Sequence, residues 1–201
     1  LWLLYRCFPG APAESLAEPQ RWRDAFQERF PVTKEEDPPE RNGPVVFLLS
    51  AARTGSTLLR IMLAGHSQLF SPPEMELLLF QDMQQRRAGL MNGWSDFKGL
   101  ERALMELRGQ DEEAVNQEVA QLLQENVSTH SVYARIQKLC GNRLLVDKSP
   151  SYPLSRPALG RAERWFTRPL YIHLVRHPLA CIRSWTACNF DQVLFGPPRQ
   201  A

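Results

Sequence analysis

The chain has 201 residues, of which 43% are hydrophobic and 23% charged, and its formal net charge is +2. This length and composition suit one globular domain with a core of its own. The near balance of charge excludes a general attraction to nucleic acid or to a membrane surface. No run approaches the ~20 consecutive apolar residues of a membrane span.

The cysteines do not have the spacing of a metal site. Cys7, Cys140, Cys181 and Cys188 include no CxxC pair, and no histidine cluster accompanies them. Zinc ligands and disulfide frameworks both have recognisable spacings. We therefore predict that no metal is bound, and free thiols favour a reducing compartment, the cytoplasm.

Residues 1–43 read as a lead-in rather than as part of a compact domain. Prolines interrupt them at positions 9, 12, 19, 31, 38 and 39, and a charged run covers residues 34–37. A single amphipathic helix is predicted over residues 16–30. We expect a linker here and one domain over residues 44–201.

A strand, a small-residue loop and a helix follow one another between Pro44 and Gly65. Val45–Leu49 is wholly apolar, as in a buried parallel strand, and residues 57–63 carry a helical apolar pattern. This arrangement directs backbone N–H groups and a helix N-terminus at one point between them. The loop is therefore predicted to bind an anion, most simply a phosphate.

The loop differs from the usual nucleotide-binding loop of kinases and ATPases. Those loops read GxxxxGK[ST], and their lysine reaches the terminal phosphates. Here Ser56 follows Gly55, the first glycine is missing, and the cation precedes the glycine as Arg53. A kinase is therefore disfavoured, and a strand–helix turn that binds nothing remains an alternative for the loop alone.

A second strand–helix junction carries another cation. The apolar run of residues 170–175 leads into Arg176-His177-Pro178, and Pro178 suits the first turn of a helix. Ser184 follows Arg176 by 184 − 176 = 8 residues. The planar guanidinium of arginine suits phosphate because it donates two hydrogen bonds at once.

Together the two junctions resemble those of sulfotransferases that take their sulfonyl group from PAPS (3′-phosphoadenosine-5′-phosphosulfate). The string SAARTGSTLLR from Ser50 is similar to the 5′-phosphosulfate loop of that family. The resemblance implies that Arg176 and Ser184 hold the 3′-phosphate. It implies that five loop residues hold the 5′-phosphosulfate: Arg53, Thr54, Gly55, Ser56 and Thr57.

The acceptor hydroxyl needs a base, because it must lose its proton as it attacks sulfur. Glu74 follows a double proline, where a helix is predicted to restart. In tyrosylprotein sulfotransferases, which share the start of the loop, a glutamate at the equivalent place is the base. Glu76 is the second candidate and His66 the nearest histidine. Alternatively, Glu74 has no catalytic role and lies at a helix N-terminus, where the helix dipole favours a carboxylate.

A third motif follows the short predicted strand at residues 144–146. Asp147-Lys148-Ser149-Pro150-Ser151-Tyr152 resembles a strand-end motif of several sulfotransferases, with aspartate at a position that usually holds glutamate or asparagine. The resemblance implies that Lys148 lies near the transferred group, where its ammonium would offset charge on the leaving nucleotide. The catalytic set is therefore Glu74, Lys148 and Arg53. A strand-end surface charge is the alternative for Lys148.

The remaining pattern predicts the fold class. A helical insert is expected over residues 74–140, with Arg86 and Arg87 on a solvated face, and a further helix over residues 156–168. Three strands would then end at one edge, where open α/β sheets bind ligands. We predict a three-layer α/β/α, P-loop-like fold with a parallel sheet.

Within the family, residues 55–80 and 171–178 look closest to sulfotransferase domains of bacterial polyketide synthases. That resemblance implies an acceptor hydroxyl on an acyl chain held by a carrier protein. A protein tyrosine, a glycan and a small alcohol are the other acceptors. The family also has a late basic loop that this sequence does not include, so the domain is expected to be incomplete at its C-terminus. A non-catalytic nucleotide-binding module is the remaining alternative class.

Overall fold

A four-stranded parallel sheet forms the centre of the computed structural model, which describes residues 37–90 and 98–188. The strands are β1 Val45–Ser50, β2 Leu69–Phe70, β3 Leu144–Asp147 and β4 Pro169–Leu174, in the order β2-β3-β1-β4. The sequence predicts three of them correctly. It misses β2, because two residues are too few to show a pattern.

Seven α-helices are described, and four of them lie between β2 and β3. They are α1 Ser56–Ala64, α2 Met83–Leu90, α3 Gly99–Arg108, α4 Glu112–Gln124, α5 Thr129–Cys140, α6 Arg156–Trp165 and α7 Pro178–Ala187. The parallel α/β class is therefore confirmed. Helix α4 begins at an Asp111 cap and α5 at a Ser128 cap, each accepting a backbone N–H.

The predicted helix start at Glu74 is wrong, since residues 71–81 form no helix or strand and the next helix begins at Met83. Two local features prevent a helix: the double proline at 72 and 73, and Glu76 with a φ of 50°. The apolar side chains of Leu77 and Leu78 are nevertheless completely buried. This irregular segment is therefore part of the core. The helix predicted over residues 156–168 ends at Trp165.

The core on one side of the sheet is aromatic. Phe47 of β1 lies with its ring centroid 5.5 Å from Phe166, 6.0 Å from Tyr171 and 6.1 Å from Tyr152. Phe166 also meets Tyr133 of α5 edge to face, at 5.1 Å. Such contacts add to the stabilisation from burial alone. They fix α5 and the segment after β3 against the central strand.

Apolar surface is exposed on α1 and on β4. On α1, the side chains of Leu58 and Met62 are 64% and 66% exposed. β4 is an edge strand, paired on one side with β1, and its residues are mostly exposed although the sequence is apolar. The prediction of a strand is therefore confirmed here, whereas the burial that its apolar pattern suggests is not found.

Some predictions fall outside the described residues, namely the helix over residues 16–30 and the lead-in before residue 37. The same holds for residues 91–97 of the predicted insert and for the last 13 positions, 189–201. Among the helices that are described, none combines the length and the apolar character needed to cross a membrane.

Candidate active site

The carboxyl ends of the four strands bring the predicted site residues to one edge of the sheet. β1 runs beside β4 as far as the pair Ser50–Leu174, and β3 ends at Asp147, opposite Phe47. The loop of residues 51–55, Lys148 and Arg176 therefore leave the sheet on the same side, as does the segment after β2 that carries Glu74. This is the edge at which open parallel sheets bind ligands.

The loop after β1 leaves backbone donors available. Arg53 and Gly55 have φ angles of 67° and 94°, and a Cβ on Gly55 would meet no atom within 4 Å. Gly55 is therefore required for its backbone conformation and not for space. Helix α1 begins at Ser56 with no side-chain cap and no acidic residue in its first turn. Its first N–H groups are thus free to bind an anion.

Ser50 adds a hydroxyl to this loop. Its side chain is buried, and its Oγ has no hydrogen-bond partner among the described residues. Burying a hydroxyl without a partner is costly, and phosphate oxygens would satisfy it. The Thr54 hydroxyl, by contrast, donates to the carbonyl of Ala51 at 2.8 Å and closes the turn. The loop therefore fits an anionic group.

Arg53 connects the two predicted phosphate sites. Its Nε donates to Ser184 Oγ at 3.0 Å, across 131 residues of sequence. Arg176 Nη1 donates to the carbonyl of Arg53 at 3.1 Å, and Trp185 Nε1 donates to the carbonyl of Ala52 at 3.2 Å. The loop after β1, Arg176 and the second half of α7 therefore form one basic surface.

Glu74 and Lys148 form an ion pair, with the ammonium donating to Glu74 Oε1. The Lys148 side chain is 4% exposed and that of Glu74 is 36% exposed. Lys148 is therefore not a strand-end surface charge, and Glu74 is not the start of a helix. The Glu74 side chain is therefore open to solvent in part, while its Lys148 partner is buried.

Asp147 is buried beneath this pair and holds the motif after β3 in place. Its Oδ2 accepts hydrogen bonds from Tyr133 and, at 2.9 Å, from Tyr152. Burial raises the pKa of Asp147 to about 6, and the bonds from both tyrosines and from Ser149 oppose that rise. The tyrosine hydroxyls also contact each other at 3.1 Å. No motif in the sequence identifies Tyr133 as a partner of Asp147.

Gly99, at the start of α3, lies directly against the backbone of Glu74. A Cβ on Gly99 would be 1.8 Å from the Glu74 carbonyl oxygen and 2.5 Å from its carbonyl carbon. Only glycine permits so close an approach. The sequence gives no signal of this contact, because the two residues belong to different parts of the predicted insert.

Two other predictions concern Arg86 and His66. Arg86 was expected on a solvated face, but it is buried, and its Nε donates to the Met75 carbonyl at 3.0 Å. His66 lies beyond the end of α1, close to Gln68, whose carbonyl accepts from Leu144 at the start of β3. His66 is therefore at the opposite edge of the sheet from Glu74. Among the described residues, no group of histidine, cysteine, aspartate or glutamate side chains could hold a metal ion.

A parallel sheet whose first strand leads through a glycine-containing loop into a helix, with arginines at the same edge, defines a P-loop-like α/β protein. A model of the sulfotransferase family matches residues 44–196, and the chain belongs to that family.

Two solved structures are similar to this chain. The sulfotransferase domain from the olefin synthase of Synechococcus PCC 7002 is 44% identical, with a TM-score of 0.75, over 81% of this chain and 59% of that domain. The sulfotransferase domain from the curacin biosynthetic pathway is 41% identical, with a TM-score of 0.73, over 81% of this chain and 56% of that one. This chain thus spans less than two thirds of either relative. The comparison with curated proteins found no match.

Proposed function

We propose that this protein transfers a sulfonyl group from PAPS to an acceptor hydroxyl. The observation that carries the proposal is the Glu74–Lys148 ion pair at the same sheet edge as the Arg53 loop. The pair supplies a base and a cation where an anionic donor would bind. Membership of the sulfotransferase family supports the reaction type.

The donor carries a phosphosulfate group and a 3′-phosphate, and its sulfonyl group is electrophilic at sulfur. The N–H groups that open α1, together with Arg53, Thr54, Gly55, Ser56 and Thr57, would bind the phosphosulfate. Arg176 and Ser184 would bind the 3′-phosphate. Arg53 already contacts Ser184, so one bound nucleotide can engage both groups.

Glu74 would take the proton of the acceptor hydroxyl as its oxygen attacks sulfur in line with the bond that breaks. The new bond joins the acceptor oxygen to sulfur, and the old bond to the bridging oxygen of the nucleotide is lost. Lys148 would stabilise the negative charge that develops on that oxygen. Because Lys148 also bonds to Glu74, it orients the carboxylate toward the acceptor. This scheme uses no metal.

The acceptor we favour is a hydroxyl on an acyl chain carried by an acyl carrier protein. The support is the similarity to sulfotransferase domains of an olefin synthase and of the curacin pathway. A cytoplasmic location would agree with such an acceptor. The test offers a 3-hydroxyacyl carrier protein, a tyrosine peptide, a glycan and a small alcohol in parallel. Sulfation of the carrier-bound chain alone is expected, and preference for another acceptor would contradict this choice.

Nucleotide binding is tested by thermal shift with 3′,5′-ADP, 5′-AMP and ATP–Mg²⁺. A ligand at 100 times its Kd adds about 2.7 kcal/mol to the free energy of unfolding. We expect stabilisation by 3′,5′-ADP, little by 5′-AMP and none specific to ATP–Mg²⁺. A preference for ATP–Mg²⁺ would indicate a kinase instead. No response to any of the three would indicate a module that binds no nucleotide.

Replacement of the proposed base gives a second test. Glu74→Gln keeps the shape of the side chain but removes its basicity, so we expect kcat to fall by ~10²–10⁴-fold, the usual scale for a general base. Binding of 3′,5′-ADP, measured by calorimetry, should be unchanged. Glu113→Gln, at an exposed position in α4, is the matched control. Normal turnover by Glu74→Gln would place the base elsewhere.

A further inference from the structure

Two segments that are far apart in the sequence are joined under the Glu74–Lys148 pair. We call these two segments, residues 74–78 and residues 147–152, the clasp. The Glu76 N–H donates to Ser149 Oγ at 3.2 Å, and the Leu77 N–H donates to the Tyr152 hydroxyl at 3.1 Å. Lys148 comes directly before Ser149, the first of these two contact residues in the chain. Its position against Glu74 therefore depends on the clasp.

Glu76 is the central residue of the clasp. It is 1% exposed, and its Oε2 accepts a hydrogen bond from the Ser151 hydroxyl. Its backbone and its side chain thus bond to two serines on either side of Pro150. Its Oε1 has no hydrogen-bond partner among the described residues. The carboxyl group is therefore held at one oxygen and enclosed at the other.

The backbone at Glu76 is also unusual. Its φ of 50° is in the left-handed region, which a residue with a long side chain adopts rarely. Such a conformation persists only where the surroundings hold it, and it is concentrated at functional sites. Here the preceding carbonyl, that of Met75, accepts from the buried Arg86. The turn at Glu76 directs Glu74 toward Lys148 while Leu77 enters the core.

The charges around Glu76 favour its neutral form. Burial is the main cause that raises its pKa to about 8; the carboxylates of Glu74 and Asp147 also raise it, whereas the Ser151 bond and Arg86 lower it. Glu76 therefore retains its proton at neutral pH. Glu76 is also enclosed, whereas the Glu74 side chain is 36% exposed, so an acceptor has access to Glu74 and not to the second candidate of the sequence.

We propose that Glu76 is a positioning residue, which holds Lys148 against Glu74 through its hydrogen bonds to Ser149 and Ser151. The proposal rests on the proposed sulfotransferase function for its catalytic consequence. The clasp itself is independent of that function. Glu76→Gln keeps a neutral group that can accept from Ser151, whereas Glu76→Ala and Ser151→Ala both remove that bond.

The first experiment measures the accessibility of Lys148 and needs no nucleotide. The full-length protein is labelled with acetic anhydride, and mass spectrometry gives the labelling rate of Lys148 relative to that of Lys138, which is exposed on α5. We expect a rise of about 10-fold in Ser151→Ala and Glu76→Ala, and none in Glu76→Gln. Equal ratios in all variants would overturn the proposal.

The second experiment measures turnover. Ser151→Ala should lower kcat by about 10-fold or more with unchanged 3′,5′-ADP binding, and Glu76→Gln should retain kcat within about threefold. A loss in Glu76→Gln as large as that in Glu74→Gln would make Glu76 a reacting group and overturn its positioning role. If Glu76→Ala does not fold, the Lys148 labelling and the kcat of Ser151→Ala and Glu76→Gln still test the positioning role of Glu76. Failure of the wild type to bind 3′,5′-ADP would reject the proposed function alone, because the labelling result stands without it.

Discussion

Gly99 shows how one missing side chain defines the position of the proposed base. The start of α3 reaches the Glu74 backbone so closely that a Cβ would be 1.8 Å from its carbonyl oxygen. Any side chain at position 99 must therefore displace Glu74 or α3. A shift of about 1 Å at a reacting group can reduce the rate by about 10²-fold.

We therefore expect Gly99→Ala to lower kcat by about 10²-fold and to reduce the free energy of unfolding by about 1–3 kcal/mol through overpacking. Steady-state kinetics and urea denaturation measure the two effects. The matched control is Gly160→Ala in α6, where the new Cβ would meet only the flexible end of Arg164. A Gly99→Ala protein with wild-type kcat would show that the Glu74 backbone can move without consequence.

Among the elements, the junction of β4 with α7 is the part that gives the site its second cation. Arg176 leaves the end of β4, Pro178 begins α7, and Ser184 faces Arg53 from within that helix. The Arg53–Ser184 hydrogen bond thus joins this helix to the loop after β1. Neither element forms the basic surface alone.

Arg176→Ala should remove the preference for a nucleotide with a 3′-phosphate. A hydrogen bond to a charged group contributes about 1.5–3 kcal/mol, or roughly 10- to 100-fold in Kd. We expect Kd for 3′,5′-ADP to rise by that factor and to approach the Kd for 5′-AMP, as measured by calorimetry. Arg183→Ala, at an exposed position of the same helix, is the control. If the preference persists, the 3′-phosphate site lies elsewhere.

At the scale of the whole molecule, two buried acids make stability dependent on pH. Burial raises the pKa of Glu76 from 4.5 to about 8 and that of Asp147 from 3.8 to about 6. The folded chain therefore retains protons that the unfolded chain has released. As pH rises through this range, the free energy of unfolding falls, by at most about 1.4 kcal/mol per pH unit for each group.

Urea denaturation between pH 4 and pH 9 should show this decline, with the part due to Asp147 complete near pH 6 and that due to Glu76 near pH 8. Glu76→Gln has no proton to lose at that position. Its free energy of unfolding should be flatter above pH 6 and should exceed that of the wild type at pH 8. Parallel declines in the two proteins would show that Glu76 does not retain its proton on folding.

The sequence was sufficient for the parts of the fold that depend on local signals. β1, the loop and α1 follow from an apolar run, small residues and a helical period, all within Pro44–Gly65. The same is true of β4 and α7, where Pro178 marks the helix start. The order of these junctions placed Arg53, Lys148 and Arg176 at one edge, because parallel strands share their carboxyl end.

Other features were decided only by the tertiary structure, because they are contacts between segments distant in the chain. The Glu74–Lys148 pair spans 74 residues and the Arg53–Ser184 bond spans 131. No local pattern shows that Gly99 meets Glu74, or that the segment after Pro73 is irregular and buried. Glu76 shows the limit most plainly: the sequence offered it as a second base, whereas burial, which only the tertiary structure determines, raises its pKa to about 8.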